Sequence, residues 1–286
     1  MNNSVFFTDT DCEMLYTDAE SLNMNVIGMP YTINNQEYVY DYGKNTDIDK
    51  FYADMRSGAV ATTSALNTQN YIDYFEPVMK EGKDILYVHF SSELSGTFNH
   101  MNAALEELKV KYPESKVTCF DTKNICGGAG LLAIEACKLH NSGASDEEVV
   151  AFLTEMRDKI GIYFYVDSLQ YLKRGGRISA LSAVFGTMLN IKPILSVKGG
   201  KLDKLTTVKG VKKAVDFMVD RFAEEYNDND KYEVWVMDAD NKKIGDELAE
   251  KIRKLGRNIS LRRLFIGPVI GAHGGPGTCG VTFFKK

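Results

Sequence analysis

Apolar strand-like runs alternate with stretches of helical periodicity through the first two thirds of the chain, and this restricts it to an α/β sheet with crossover helices. Residues 5–7 open one run that ends in TDTDCEM (8–14), ILYVHF (85–90) leads into SSELSGT (91–97), and KVTCF (116–120) leads into DTKNICGGAG (121–130). In an open parallel sheet, ligands bind in the crevice beyond the carboxyl ends of the strands. Three polar, hydroxyl-rich loops at three such ends therefore predict one shared site.

Between the first two runs, MPYTINNQEYVYDY (29–42) places Asn34-Asn35 between segments rich in Tyr, Val and Ile, a hairpin signal. Helices are predicted over 47–56 and 68–80, with Thr68 as N-cap of the second and the loop ATTSALN (61–67) between them. An acidic helix at 146–159 precedes a strand at 162–166, the segment SLQYLKRGGRIS (168–179), and a small-residue helix ending at 189. Two strands around a Gly199-Gly200 turn, a helix at 211–225, a strand at 233–237, a helix at 244–254 and a last strand pair complete the chain. The change of pattern predicts an N-terminal domain over 1–160 and a C-terminal domain over 161–286.

With 286 residues, 44% of them hydrophobic, the chain can bury a large core. A net charge of −5 offers no general attraction to nucleic acid or to an anionic membrane. The N-terminus MNNSVFFTDTDCEM lacks the basic start and long apolar core of a signal peptide, and no stretch reaches the roughly 18 apolar residues of a membrane span, so a cytoplasmic protein without a transmembrane segment is expected. The five cysteines, at 12, 119, 126, 137 and 279, form no C-x-x-C pair and are expected to be reduced and mostly buried. Neither metal-ligand spacing nor a Walker phosphate loop is present, so no cofactor is expected and independent nucleotide hydrolysis is disfavoured.

Several stretches carry candidate chemistry. Ser95, Gly96 and Thr97 fall at the start of a helix, where free amides and hydroxyls favour an anion, although an ordinary capping turn explains them equally well. Thr62, Thr63 and Ser64 are a hydroxyl cluster able to donate to a carboxylate, or a simple turn. Arg174 and Arg177 flank Gly175-Gly176, as a phosphate clamp, a surface read by a partner, or a solvated turn. His273 stands out among four histidines because it lies in IGPVIGAHGGPGTCGV (266–281), a segment with six glycines and two prolines in which neither helix nor regular strand is expected.

In order along the chain, Thr8 to Thr10, Thr63-Ser64, SSELSGT, the loop at Asp121, YLKRGGRIS (171–179), NIKPIL (190–195) and IGPVIGAHGGPGTCGV together resemble the DegV family, bacterial fatty-acid-binding proteins that serve as acyl-carrier subunits of fatty acid kinase. The resemblance implies two domains, an N-terminal three-layer α/β/α domain with a mainly parallel sheet and a C-terminal α/β domain with a mixed sheet. It further implies that one long-chain fatty acid lies buried at the domain interface and that a separate ATP-binding kinase subunit phosphorylates its carboxyl group. Carried over by motif, the carboxyl is held by Thr63, Ser95, Gly96 and His273, with no catalytic residue in this chain and only transient contact with a membrane. Lys173, Arg174, Arg177 and Lys209 are the implied docking surface, the last because Thr207-Val208-Lys209-Gly210 stands where the family has a K-x-R-G segment. Ala65-Leu66-Asn67 also departs from the family's Gln-Pro-Ser. Two other readings stay open: a lipid sensor or transporter without a kinase, and a small acyl hydrolase using Ser95 or Cys279 with His273.

Overall fold

The computed structural model describes residues 3–177, 190–228 and 231–286. The first half holds β1 (Ser4–Asp9), α1 (Tyr16–Ser21), β2 (Asn25–Ile27), β3 (Pro30–Ile33), β4 (Gln36–Val39), α2 (Ile48–Arg56), β5 (Thr62–Thr63), α3 (Thr68–Lys80), β6 (Asp84–His89), α4 (Thr97–Lys111), β7 (Val117–Asp121), α5 (Cys126–Asn141) and α6 (Asp146–Met156). The second holds β8 (Ile160–Tyr165), α7 (Leu169–Arg174), β9 (Ile191–Lys198), β10 (Lys201–Lys209), α8 (Val211–Glu225), β11 (Val234–Asp238), α9 (Lys242–Arg253), β12 (Leu261–Phe265), α10 (Pro268–Gly274) and β13 (Cys279–Phe284).

Strands β2-β1-β6-β7 form a wholly parallel sheet, as the alternation of strands and helices predicts. A mixed sheet of order β10-β9-β8-β13-β11-β12 carries the second half, and β4-β3-β5 form a small antiparallel sheet. Asn34 and Asn35, with φ of 52° and 60°, both take the left-handed conformation that a tight hairpin between β3 and β4 requires.

Helix α5 joins the two large sheets. It packs against β1 and β6 on one side and β8 and β13 on the other, and its residues 126–134 are all buried. A helix apolar all round belongs inside a protein, and the glycines of CGGAG let this one nest closely. A β-carbon on Gly127 would lie 2.5 Å from Met237 Sδ, and one on Gly130 would lie 2.0 Å from the Glu13 carbonyl oxygen. One apolar core accordingly runs from Phe6 and Leu86 through Leu132 to Ile162, Trp235 and Phe284, while a second fills the opposite face of the mixed sheet beneath α8 and α9.

Several local expectations need correction. Asn67, not Thr68, caps α3, because its side chain accepts from the Asn70 amide at 2.9 Å. Thr62 and Thr63 are not in a free loop but pair with Thr32 and Tyr31 of β3. The acidic helix ends at Met156, and residues 157–159 form a tighter turn. The small-residue helix expected to end at 189, with Ile178 and Ser179 of the RGGRIS motif, lies outside the described residues.

Candidate functional site

The glycine-rich segment holds the helix α10 where the sequence reading expected none, while β12 and β13 supply the two strands expected around it. Pro268 sits at the first turn of α10, where its missing N–H costs nothing, and Gly275 with φ of 78° ends the helix. The glycines here serve close packing as much as turning. A β-carbon on Gly267 would fall 2.2 Å from the Tyr40 ring, and one on Gly271 would fall 2.4 Å from Tyr52 Oη. Three bonds to neighbouring elements fix the helix entrance. Gly267 N donates to Glu13 Oε1 at 2.6 Å, Tyr40 Oη lies 2.9 Å from Glu13 Oε2, and Tyr52 Oη donates to the Ile266 carbonyl at 2.6 Å.

That anchorage aims His273 at Thr63, whose Oγ1 lies 2.8 Å from Nε2. Burial first, and then the Arg177 charge, lower the imidazole pKa from 6.5 to about 4, so the ring is neutral at pH 7. Its Nδ1 is buried, has no hydrogen-bond partner among the described residues, and faces Gly175. Ser95 Oγ accepts from the Thr97 amide at 3.2 Å, which leaves its own hydrogen to donate elsewhere. Gly96 caps α4 with no side-chain cap bond, at the helix end whose dipole favours a negative group.

Thr63, Ser95 and His273 line one cavity that opens to solvent at its mouth. Met29, Phe90, Ile125, Gly127, Ile162, Phe164, Met237 and Val269 make most of its wall apolar. Loops from all three strand ends contribute, through Asp11, Leu94 and Cys126, so the shared crevice read from the alternation is present. Gly96 is not among the lining residues.

The proposed docking residues separate. Lys173 and Arg174 are exposed on α7, where the Arg174 guanidinium lies over the Tyr171 ring. Lys209 is exposed at the end of β10. Arg177 turns inward to line the cavity, with Nε donating to the Leu94 carbonyl at 3.0 Å and Nη1 to the Gly175 carbonyl at 2.5 Å. Its assignment to an outer surface is therefore corrected. The Leu94 carbonyl lies within reach only because α7 ends beside SSELSGT, a proximity that no local spacing reveals.

Sequence reasoning also missed the acids of TDTDCEM. Asp9 ties the strand ends together, its carboxylate accepting from Tyr87 Oη at 3.0 Å, Phe90 N at 3.2 Å and Asp11 N at 3.0 Å. Burial raises its pKa to about 7 and that of Glu13 to about 8. Three carboxyls at alternate positions after a strand were the available signal, which burial alone turns into structure. Among the described residues, no three His, Cys, Asp or Glu side chains cluster as metal ligands, and no helix is long and apolar enough to cross a membrane.

Fold and site thus define an α/β protein with two large sheets and one small one, and with an apolar cavity that carries neutral hydrogen-bonding groups and, among the described residues, the arginine Arg177. A family model described as uncharacterised protein, DegV family, matches residues 5–286, and the chain belongs to the DegV family. A DegV domain-containing protein of Clostridium perfringens is 35% identical over 284 residues, covering 99% of this chain and 98% of that one. A fatty-acid-binding DegV family protein from Thermus thermophilus superposes with a TM-score of 0.87 at 25% identity, covering 99% of this chain and all of the other. A DegV lipid-binding protein from Thermotoga maritima gives 0.84 at 26% identity, covering 100% and 99%.

Proposed function

We propose that this chain is a carrier that binds one long-chain fatty acid and presents its carboxyl group to a separate kinase subunit for phosphorylation to the acyl phosphate. The observation that carries the reading is the Thr63–His273 pair, with a neutral imidazole, opening on an apolar cavity in a chain whose Thermus relative binds fatty acid. Burying a methylene contributes about 0.8 kcal/mol, so a chain of about 16 carbons supplies on the order of 10 kcal/mol before association costs. A buried carboxylate is costly unless its lone pairs are met, and Thr63, Ser95 and His273 on the cavity wall supply neutral donors for it, with the Gly96 amide, just outside the lining, added by motif alone. Arg177 already donates to two carbonyls, which favours a charge nearby over a bidentate grip on the acid.

In this reading the tail lies between an N-terminal domain (1–160) and a C-terminal domain (161–286), and the kinase subunit brings ATP in the cytoplasm. Lys173, Arg174 and Lys209 form its docking surface. The hydrolase alternative is disfavoured at Cys279, which lies in the core on the opposite face of the mixed sheet and whose thiol burial pushes up to about 12.

Native mass spectrometry of the purified protein tests the binding step. A retained fatty acid is expected, and persistent absence after lipid loading would overturn the proposal. A pulldown that recovers no kinase subunit would remove the kinase step and leave a lipid sensor or transporter, whereas unchanged acyl phosphate formation after charge reversal at Lys173, Arg174 and Lys209 would remove only the docking surface.

A further inference from the structure

Away from His273, the cavity wall holds two further polar atoms that are buried and lack a hydrogen-bond partner among the described residues, Asp11 Oδ1 and Thr282 Oγ1. Both residues are almost wholly enclosed, at 6% and 2% exposure. They flank neighbouring residues at the start of α5. The Asp11 carbonyl accepts from Cys126 N at 2.9 Å, and a β-carbon on Gly127 would meet Thr282 Cγ2 at 2.8 Å. The side chains at alternate positions of β13, Cys279, Val281 and Phe283, pack into the core beneath α8 and α9, which turns Thr282 to the opposite face, toward α5 and the cavity.

Leaving a buried hydroxyl or carboxyl oxygen unpaired is costly. Two such atoms on one apolar cavity wall are a pattern that a purely hydrocarbon ligand leaves unsatisfied. We propose that Asp11 and Thr282 form a second polar station, which recognises an oxygen substituent, a hydroxyl group, in the middle of the bound acyl chain. The inference rests on the fatty-acid reading above.

The position along the chain follows from strand geometry. Thr278 Oγ1 donates to the Gly274 carbonyl at 2.9 Å, next to His273, so β13 leaves the head region at Thr278. Thr282 stands four residues further, about 13 Å along an extended strand. An extended hydrocarbon advances by slightly less than a C–C bond of about 1.5 Å per carbon, so an acyl chain that runs beside β13 meets Thr282 roughly ten carbons from the carboxyl. The chemistry is reciprocal. Burial, with the Asp9 and Glu13 charges adding to it and the Arg177 charge opposing it, holds the Asp11 carboxyl well above its usual range, which favours the acid form that donates, while the Thr282 hydroxyl donates or accepts. A mid-chain hydroxyl can give or take a bond at either group.

The test is competitive binding of stearic acid and 10-hydroxystearic acid to the full chain and to its Thr282→Val and Thr282→Ser variants. The unmodified protein is expected to prefer the hydroxylated acid at least fivefold. Thr282→Val is expected to abolish or reverse that preference while stearic acid binding is kept or improved, and Thr282→Ser, which retains the hydroxyl, is expected to preserve it. A ratio of affinities that is unchanged in Thr282→Val, with stearic acid still bound, overturns the station and leaves the fatty-acid reading standing. Failure of both acids to bind the unmodified protein overturns that reading and the station with it.

Discussion

The α-carbon of Gly175 lies against the imidazole of His273, so that a β-carbon there would stand 2.0 Å from Nδ1. The glycine of the KRGGR turn thus forms one wall of the slot that holds the ring, and Thr63 Oγ1, 2.8 Å from Nε2, forms the other. Gly175 itself has φ of −74°, a conformation open to alanine, so a substitution there acts through space rather than through backbone strain. Gly175→Ala is expected to displace the ring and lower fatty acid affinity about tenfold or more, a loss of about 1.4 kcal/mol per tenfold. Its melting temperature should stay within a few degrees of the parent. Unchanged affinity by fluorescence displacement would show that the ring need not occupy this slot.

Replacing His273 by Ala separates a ligand role from a packing role. A hydrogen bond to a charged group contributes about 1.5–3 kcal/mol, so His273→Ala is expected to weaken a fatty acid about tenfold to a hundredfold. The alcohol of the same chain length carries no charge for the ring to meet and should lose much less. Equal losses for acid and alcohol, measured side by side, would leave the histidine with a structural role only.

Much of the fold was legible because its signals are local. The helix expected at 211–225 forms with those bounds, and the paired asparagines mark the hairpin, since periodicity and turn chemistry need only neighbouring residues. The segment around His273 was misread because Pro and Gly were taken as breakers, whereas Pro268 starts a helix and Gly267 and Gly271 make room for Tyr40 and Tyr52. Those tyrosines lie more than two hundred residues away in sequence, so no window contains the reason. Arg177 was assigned outward for the same cause, as its acceptors at Leu94 and Gly175 meet only after the two halves pack. Thr63, Ser95 and His273 were found as motif matches, but the bond between Thr63 and His273 is a fact of packing alone.

Gly130→Ala tests the nesting of α5 between the sheets. Here the added carbon would lie 2.0 Å from a backbone oxygen, that of Glu13, and 2.9 Å from the Trp235 ring. Neither neighbour is the free end of a flexible chain. Overpacking of this kind costs about 1–3 kcal/mol, and for a chain of this size each kcal/mol shifts the melting temperature by about 2–4 °C. A fall of roughly 5–10 °C is expected by calorimetry. No change would mean that the helix shifts away from the β1 loop without cost.

The last prediction concerns pH. Glu13, which holds Gly267 and Tyr40, has a pKa raised by burial from 4.5 to about 8, and Asp9 is raised from 3.8 to about 7. A carboxyl raised in the folded state stabilises fully below its unfolded value and loses that contribution as pH rises through its folded value. His273 runs the other way, because its pKa is lowered from 6.5 to about 4: its contribution is complete above 6.5 and is lost as pH falls toward 4. Between 4 and 6.5 the two trends oppose each other, whereas from 6.5 to 8 only the carboxyls titrate, so stability is expected to decline across that window. Glu13→Gln mimics the neutral acid and keeps a carbonyl oxygen for the Gly267 amide. It should fold, and its decline over the same window should be shallower, with the remainder due to the other raised carboxyls, Asp9 and Asp11. Melting curves at half-unit steps measure both slopes, and an identical slope in Glu13→Gln would show that Glu13 is already ionised in the folded protein.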